Sequence, residues 1–291
     1  MREFDVAIVG AGPAGLFAAL TILEATKGNI RLVIFDIGGP VEHRRCPLTD
    51  ARIGRCTYCK PCHILHGVGG AGALSSGIIN LRPDIGGDLD KLLGSWEEAV
   101  SLIKLVDAVF VRFGAPRDRL FKPDPERAAE LERRAARAGA KFIPAVQRHM
   151  GSDNTPRVIK AMQDYIVKMG GRFKLYTEVK SFEKTNGGFR LLTTDGEYRA
   201  RYLVLAPGRS GAEWFAREAR RNGVEIEMIR ADVLDGICGK FDVIAFNPPY
   251  LPESHEEYEG KSALESPEGG FFHIKRLISG ISGMLSQGGR A

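Results

Sequence analysis

Apolar residues run without interruption over Val6–Val9 and again in the segment from Arg31 to Phe35, while between them Leu16 to Leu23 carry an apolar helix-forming stretch. Uninterrupted runs of four or five predict strands covered on both faces, so the opening of the chain reads strand, turn, helix, strand. Farther along the period changes. Asp88 to Phe113 places Leu89, Leu92, Leu93, Trp96, Val100, Ile103, Leu105 and Val109 at spacings that favour one long amphipathic helix. Pro125 to Ala138 predicts a second helix, started by Pro-Glu and stopped at Gly139. Together they suggest a helical insertion over about 88–150. Asn154 to Met169 predicts a further helix, with Thr155 as N-cap, Pro156 at the first helical position and Gly170-Gly171 as its stop. Four strands follow, Arg172 to Tyr176, Val179 to Lys184, Phe189 to Thr194 and Glu197 to Leu205, around turns at Asn186-Gly187-Gly188 and Asp195-Gly196.

The first turn carries chemistry. Gly10, Gly12 and Gly15 complete G-x-G-x-x-G around Pro13 and Ala14, between a strand and a helix. Gly10 would release the strand into a tight turn, Gly12 would let a pyrophosphate approach the backbone, and Gly15 would let the helix lie close on the sheet. Asp36 stands at the end of the second strand, about twenty residues on, where an acid would accept the ribose hydroxyls of a dinucleotide. A signal peptide or membrane span is a poor account of Val6 to Leu23: Pro13 and three glycines interrupt it, and Arg2 is offset by Glu3 and Asp5.

Composition narrows the picture modestly. With 291 residues, 44% hydrophobic and 26% charged, the chain resembles a soluble globular protein. Its net charge of +5 is spread over amphipathic segments such as Glu126 to Arg137, so nucleic acid is not an expected partner. Four of five cysteines lie between Cys46 and Cys62, which is unlike a secreted disulfide framework and points to a cytoplasmic home. Cys46, Cys56, Cys59 and Cys62 read C-x9-C-x2-C-x2-C. That spacing suits an iron-sulfur cluster, a zinc site, or a set of free or redox-active thiols, and the three readings stay open. His43, His63 and His66 flank them as ordinary loop histidines, and Gly67 to Gly77 forms a second glycine-rich loop whose backbone would fit against a cofactor ring, with Ser75 and Ser76 as possible donors.

GAGPAG, the Thr177-Glu178-Val179 step and the late strand RYLVLAPGRSG together resemble the FAD-binding half of the glutathione-reductase-like flavoproteins. Within that group, CTYCKPCHILHGVGGAGALSSG resembles a prokaryotic family of FAD-dependent dehydrogenases. The resemblance covers about residues 1–222. It implies a Rossmann-type FAD/NAD(P)-binding α/β domain in which Gly10, Gly12, Pro13, Ala14 and Gly15 hold the pyrophosphate and Asp36 the ribose, where the family usually has Glu. It also implies that Val179 meets the adenine through its backbone, that Gly208 closes on FAD, and that a small-molecule substrate and an electron donor such as NAD(P)H are the partners.

Beyond Asn222 the text changes. Glu225 to Ile229 and Phe241 to Phe246 predict two strands, and the second ends in Asn247-Pro248-Pro249-Tyr250. This motif resembles that of S-adenosylmethionine-dependent glutamine N5-methyltransferases, in which Asn247 and the Pro-Pro turn would hold a planar amide nitrogen, Tyr250 would pack on it, and Asp232 would lie near the adenine end of the cofactor. Residues 223–291 therefore read as a partial, Rossmann-like methyltransferase segment fused to the first domain. The glycine-rich donor loop of that family has no counterpart upstream, so S-adenosylmethionine is not an expected cofactor. The two predicted strands are expected to be parallel neighbours.

Overall fold

In the computed structural model, residues 2–50, 52–53, 55–85 and 89–223 are described, together with the short strands Phe241–Val243, Leu251–Pro252, Glu265–Ser266 and Leu285–Arg290. The chain divides into two compact units, Met1–Arg55 with Pro61–Gly208, and Cys56–Lys60 with Arg209–Ala291.

In the first unit, β1 (Arg2–Val9) enters α1 (Pro13–Ala25) and returns as β2 (Leu32–Phe35). β3 (Ile78–Asn80), α2 (Leu89–Leu93), α3 (Trp96–Arg112), β4 (Leu120–Phe121), α4 (Pro125–Arg137), β5 (Gln147–His149) and α5 (Thr155–Lys168) follow. β6 (Arg172–Lys174), β7 (Val179–Thr185), β8 (Gly188–Thr193) and β9 (Gly196–Leu205) complete it. The main sheet has the order β6-β2-β1-β9-β8-β7. Its first four strands are parallel, with Val9 beside both Phe35 and Leu205, and β9, β8 and β7 form an antiparallel meander. This is a Rossmann-type α/β sheet, and the carboxyl ends of β1, β2 and β9 lie side by side, where such sheets bind ligands.

Apolar strands require cover on both faces, and β2 is buried along its whole length. On one face α1 and α5 pack together, burying Leu16, Ala19, Leu20 and Leu23 of α1 with Val158, Ile159, Met162 and Ile166 of α5. The core extends into α3, where Phe110 meets Phe17 edge-on at 5.3 Å and Arg112 pairs with Glu24 at 2.7 Å. The C-terminal end of α3, inside the predicted insertion, is thus part of the main core. The long helix expected from Asp88 is two helices: Gly94 adopts a left-handed φ of +70°, and Ser95 caps α3 by accepting the Glu98 amide at 3.2 Å. α4 buries no residue and is anchored at its start by Asp124, which accepts the Arg127 amide at 2.9 Å.

A small antiparallel sheet, β3-β5-β4, has no counterpart in the predicted elements. Its Arg148 is buried, pairs with Asp107 of α3 and donates to the Pro116 carbonyl at 2.7 Å. At α5 the cap lies one residue earlier than predicted: Asn154 is the N-cap, and the Thr155 hydroxyl donates to the Gly151 carbonyl at 2.8 Å. Among the described residues, no helix is long and apolar enough to cross a membrane.

The second unit contains α6 (Ala212–Arg221), whose buried Glu218 accepts from Arg217 and Arg221 at 3.1 Å each. Its described strands are β10 (Phe241–Val243), β11 (Leu251–Pro252), β12 (Glu265–Ser266) and β13 (Leu285–Arg290). β10, within the predicted strand Phe241 to Phe246, runs parallel to β13. Its predicted neighbour, Glu225 to Ile229, lies outside the described residues, as do Asp232, Asn247, Pro248, Pro249 and Tyr250.

Candidate cofactor site at the carboxyl edge of the sheet

The fingerprint glycines meet different neighbours. Gly10 stands beside the end of β9, where the ladder continues as the Ala206 amide donates to the Val9 carbonyl at 2.8 Å, and a side chain on Gly10 would overlap the Ala206 carbonyl oxygen. A side chain on Gly15 would overlap the Gly10 carbonyl oxygen, the close helix-to-strand approach that the motif implies. Gly12 differs. It caps α1 with φ −70°, a conformation open to any residue, and an added Cβ would find only Gly70 Cα at 3.8 Å. No protein atom requires a glycine there, and Gly12 stands at the α1 N-terminus, where backbone amides favour an anion. Pro13 takes the first helical position, its missing N–H costing nothing at a helix start.

Asp36 follows β2 and is held by three backbone segments. Its Oδ2 accepts the Ala11 amide at 2.8 Å, and its Oδ1 accepts the amides of Gly38 and Gly67, each at 2.8 Å. The acid predicted to serve a ribose therefore binds the fingerprint turn, the chain at Gly38 just after β2, and the second glycine-rich loop at Gly67. The second glycine loop in turn rests on the first: the Gly69 amide donates to the Ala11 carbonyl at 2.8 Å, and a Cβ on Gly70 would lie 3.1 Å from Gly12 Cα.

Arg44 secures the same loop from below. Only 4% exposed, it donates through Nε to the His63 carbonyl at 3.0 Å, through Nη1 to Val68 at 2.7 Å and through Nη2 to Ile64 at 2.8 Å. Burial lowers its pKa from the ordinary value, with the charge of Asp36 acting in the opposite direction. A guanidinium stays charged in either case. Sequence patterning offers one signal for this residue, an arginine inside a glycine- and cysteine-rich loop, and no means of knowing its partners.

The other predicted residues are placed as follows. Val179 begins β7 and is buried, beside an irregularity in the pairing of β7 with β8. Gly208 follows β9 with a φ of +69° and no atom within 4 Å of an added Cβ. The Ser75 hydroxyl donates to the Gly72 carbonyl at 2.8 Å, so its hydrogen is used within the loop. His43 contacts the Tyr176 hydroxyl at 3.3 Å through Nδ1. Cys46, Cys56, Cys59 and Cys62 are free thiols, and among the described residues no group of three or more His, Cys, Asp or Glu side chains is placed to hold a metal ion. Within its own segment the Cys56 sulfur accepts the Tyr58 amide at 3.4 Å, and the Cys59 sulfur lies 3.3 Å from the Thr57 hydroxyl. A separate cavity of about 730 Å³ lies between α1 and α3, lined mainly by apolar side chains including Phe17, Leu20, Ile103 and Val106, and shares no residue with the glycine loops.

No family model matches the chain. A Methanocaldococcus jannaschii protein carrying the provisional description of a protein N5-glutamine methyltransferase is 36% identical over 74 residues, 24% of this chain and 38% of that protein. The release factor glutamine methyltransferase of Haemophilus influenzae is 32% identical over 93 residues, 30% of each. The chain thus spans about a third of the length of these curated relatives. Among solved structures, glycine oxidase from Geobacillus kaustophilus aligns with a TM-score of 0.36 and 21% identity, covering 78% of this chain and 60% of that one. Part of the chain is therefore similar to glutamine methyltransferases, alongside a Rossmann-type sheet with a dinucleotide fingerprint.

Proposed function

We propose that residues 1 to about 222 bind FAD and act as an FAD-dependent oxidoreductase on a small molecule, with NAD(P)H a candidate electron donor, and that residues from about 223 onward belong to a methyltransferase-like segment. The observation that carries this reading is Gly12: a glycine that no protein neighbour requires, at the N-terminus of a helix packed on the core, facing the backbone of a second glycine loop. The residues present fit a dinucleotide. Gly12 presents no side chain to a diphosphate, the amides that follow it at the helix start would supply the anion site, and Asp36 retains acceptor capacity on Oδ2 for a ribose hydroxyl. Gly208, at the adjoining strand end, would let the same molecule lie against the backbone. FAD when bound supplies a two-electron acceptor, and the groups of this chain orient it and exclude water. Incubating the purified protein with FAD, followed by removal of unbound flavin, is expected to leave a stoichiometric flavin spectrum. A folded, colourless protein would overturn the assignment.

A second reading, N-methyl transfer from S-adenosylmethionine to a glutamine side chain, is favoured by the two glutamine methyltransferase relatives. Methyl transfer needs the sulfonium carbon held in line with the acceptor nitrogen, and positioning of that kind accounts for about 7–11 kcal/mol of barrier. Asn247-Pro248-Pro249-Tyr250 positions an acceptor only, and Gly10, Gly12 and Gly15 are committed to the strand-to-helix turn at Asp36. We therefore propose that this chain transfers no methyl group. Calorimetric titration is expected to give no heat of binding with S-adenosylmethionine, whereas saturable micromolar binding lost in Asn247→Ala would establish the second reading.

A further inference from the structure

We infer that Asp36 and Arg44 form a positioning pair that locks the 63–70 loop onto the fingerprint turn, so that the backbone rim of the proposed diphosphate site is preformed before any dinucleotide arrives. The inference deepens the FAD reading in its last step, but its structural core stands without it.

The two ionised groups do not bond to each other. Both bond to the backbone of the same loop, from opposite chemical sides: the carboxylate takes the Gly67 amide, and the guanidinium gives hydrogens to the carbonyls of His63, Ile64 and Val68. The carboxylate also holds Ala11, the residue between the first two fingerprint glycines, so a single side chain joins the fingerprint to the loop. Close packing leaves little freedom in this arrangement. A Cβ on Gly38 would overlap the backbone at His66–Gly67, and one on Gly67 would lie 2.7 Å from Arg44 Cδ. The loop is thereby held with Gly70 against Gly12, on the rim of the proposed diphosphate site.

Stoichiometry of acceptors sharpens the point. A carboxylate offers roughly four lone-pair sites. Three are occupied by amides at 2.8 Å, so Asp36 has capacity left for a single ribose hydroxyl. A longer acid in its place would push its oxygens past the turn, toward a ligand and away from the amides. Asp36 thus gives up part of the ribose contact and gains a fixed loop.

Hydrogen exchange of the full-length protein without added nucleotide tests this. Asp36→Asn presents an NH₂ group to a set of N–H donors, and exchange in peptides containing Ala11 and Gly67 is expected to rise by roughly tenfold or more, while β9 and α5 keep wild-type protection. Arg44→Lys keeps the charge but has too few suitably placed donors for all three carbonyls, and is expected to raise exchange across 63–70; it serves as the readout should the Asp36 variant fail to fold. In the same preparations, the affinity for FAD is expected to fall in both variants, although Arg44 lies beneath the loop. Wild-type exchange rates in both variants, with only FAD affinity lost in Asp36→Asn, would return Asp36 to a simple ribose acceptor and overturn the pair. A wild-type protein that takes up no FAD would refute the flavoprotein reading while leaving the exchange result to decide the clamp.

Discussion

Three glycines of one motif answer to two different causes, and substitution separates them. Gly10→Ala and Gly15→Ala each place a methyl group inside a backbone carbonyl, so both are expected to destabilise the fold by about 2 kcal/mol or more in denaturant titrations. Gly12→Ala meets only an ordinary contact at 3.8 Å in a permitted conformation, and is expected to leave the unfolding midpoint near wild type while weakening FAD binding. A second residue-scale expectation concerns Asp195, which accepts from Tyr198 at 2.6 Å, Arg2 at 2.8 Å and Lys174 at 2.9 Å. The Tyr198 hydroxyl first, then Lys174 and Arg2, hold its carboxyl well below the ordinary carboxylate range. A depressed folded-state pKa gives stability that is present above about pH 4 and is lost as pH falls toward the folded value. The midpoint difference between wild type and Asp195→Asn is therefore expected to be constant near neutrality and to shrink below about pH 4. At this scale the position of Asp36 was legible, because an acid at the end of the second strand is a spacing rule. Its amide partners were not, since Gly38 and Gly67 reach it through loops whose path has no periodicity.

The elements divide along the same line. β1, α1 and β2 follow from apolar runs and glycines close in sequence, and β7, β8 and β9 from turns at Gly187-Gly188 and Asp195-Gly196. Short strands without an apolar pattern, Ile78–Asn80, Leu120–Phe121 and Gln147–His149, were invisible because only their mutual pairing defines them. The break between α2 and α3 left a trace that periodicity overrode: Gly94-Ser95 is a stop followed by an N-cap, yet the apolar spacing continues across it. α4 is a helix with a strong apolar-polar division and no buried residue, so it contributes little to the core. Asp124→Ala is expected to cost its own helix about 1 kcal/mol, seen as faster exchange over Pro125–Arg137 with little change in the global midpoint. A global shift of that size would place α4 within the cooperative core.

The whole molecule joins a Rossmann-type domain carrying a dinucleotide fingerprint, which we propose binds FAD, to methyltransferase-like sequence, with the proposed boundary near Asn222. The fold class was legible because strand, turn, helix and acid form one local unit, and the parallel pairing of β1 with β2 follows from it, whereas β9 reaches β1 only through the fold. The likeness of part of the chain to glutamine methyltransferases was legible in the sequence, where the reading rested on Asn247-Pro248-Pro249-Tyr250; those four residues lie outside the described ones. The cysteine cluster was the least decidable feature, since C-x9-C-x2-C-x2-C states which sulfurs are near in sequence and not which converge in space. In the proposed function the diphosphate of FAD binds at the α1 N-terminus beside Gly12, with Gly70 packed on its rim. FAD titration of wild type and Gly12→Ala, followed by flavin fluorescence alongside unfolding midpoints, tests it most directly. Saturable one-to-one uptake by wild type, weakened by about tenfold or more in an equally stable Gly12→Ala, is the predicted result; a folded wild type that binds no FAD, or a Gly12→Ala variant that binds it equally well, would contradict it.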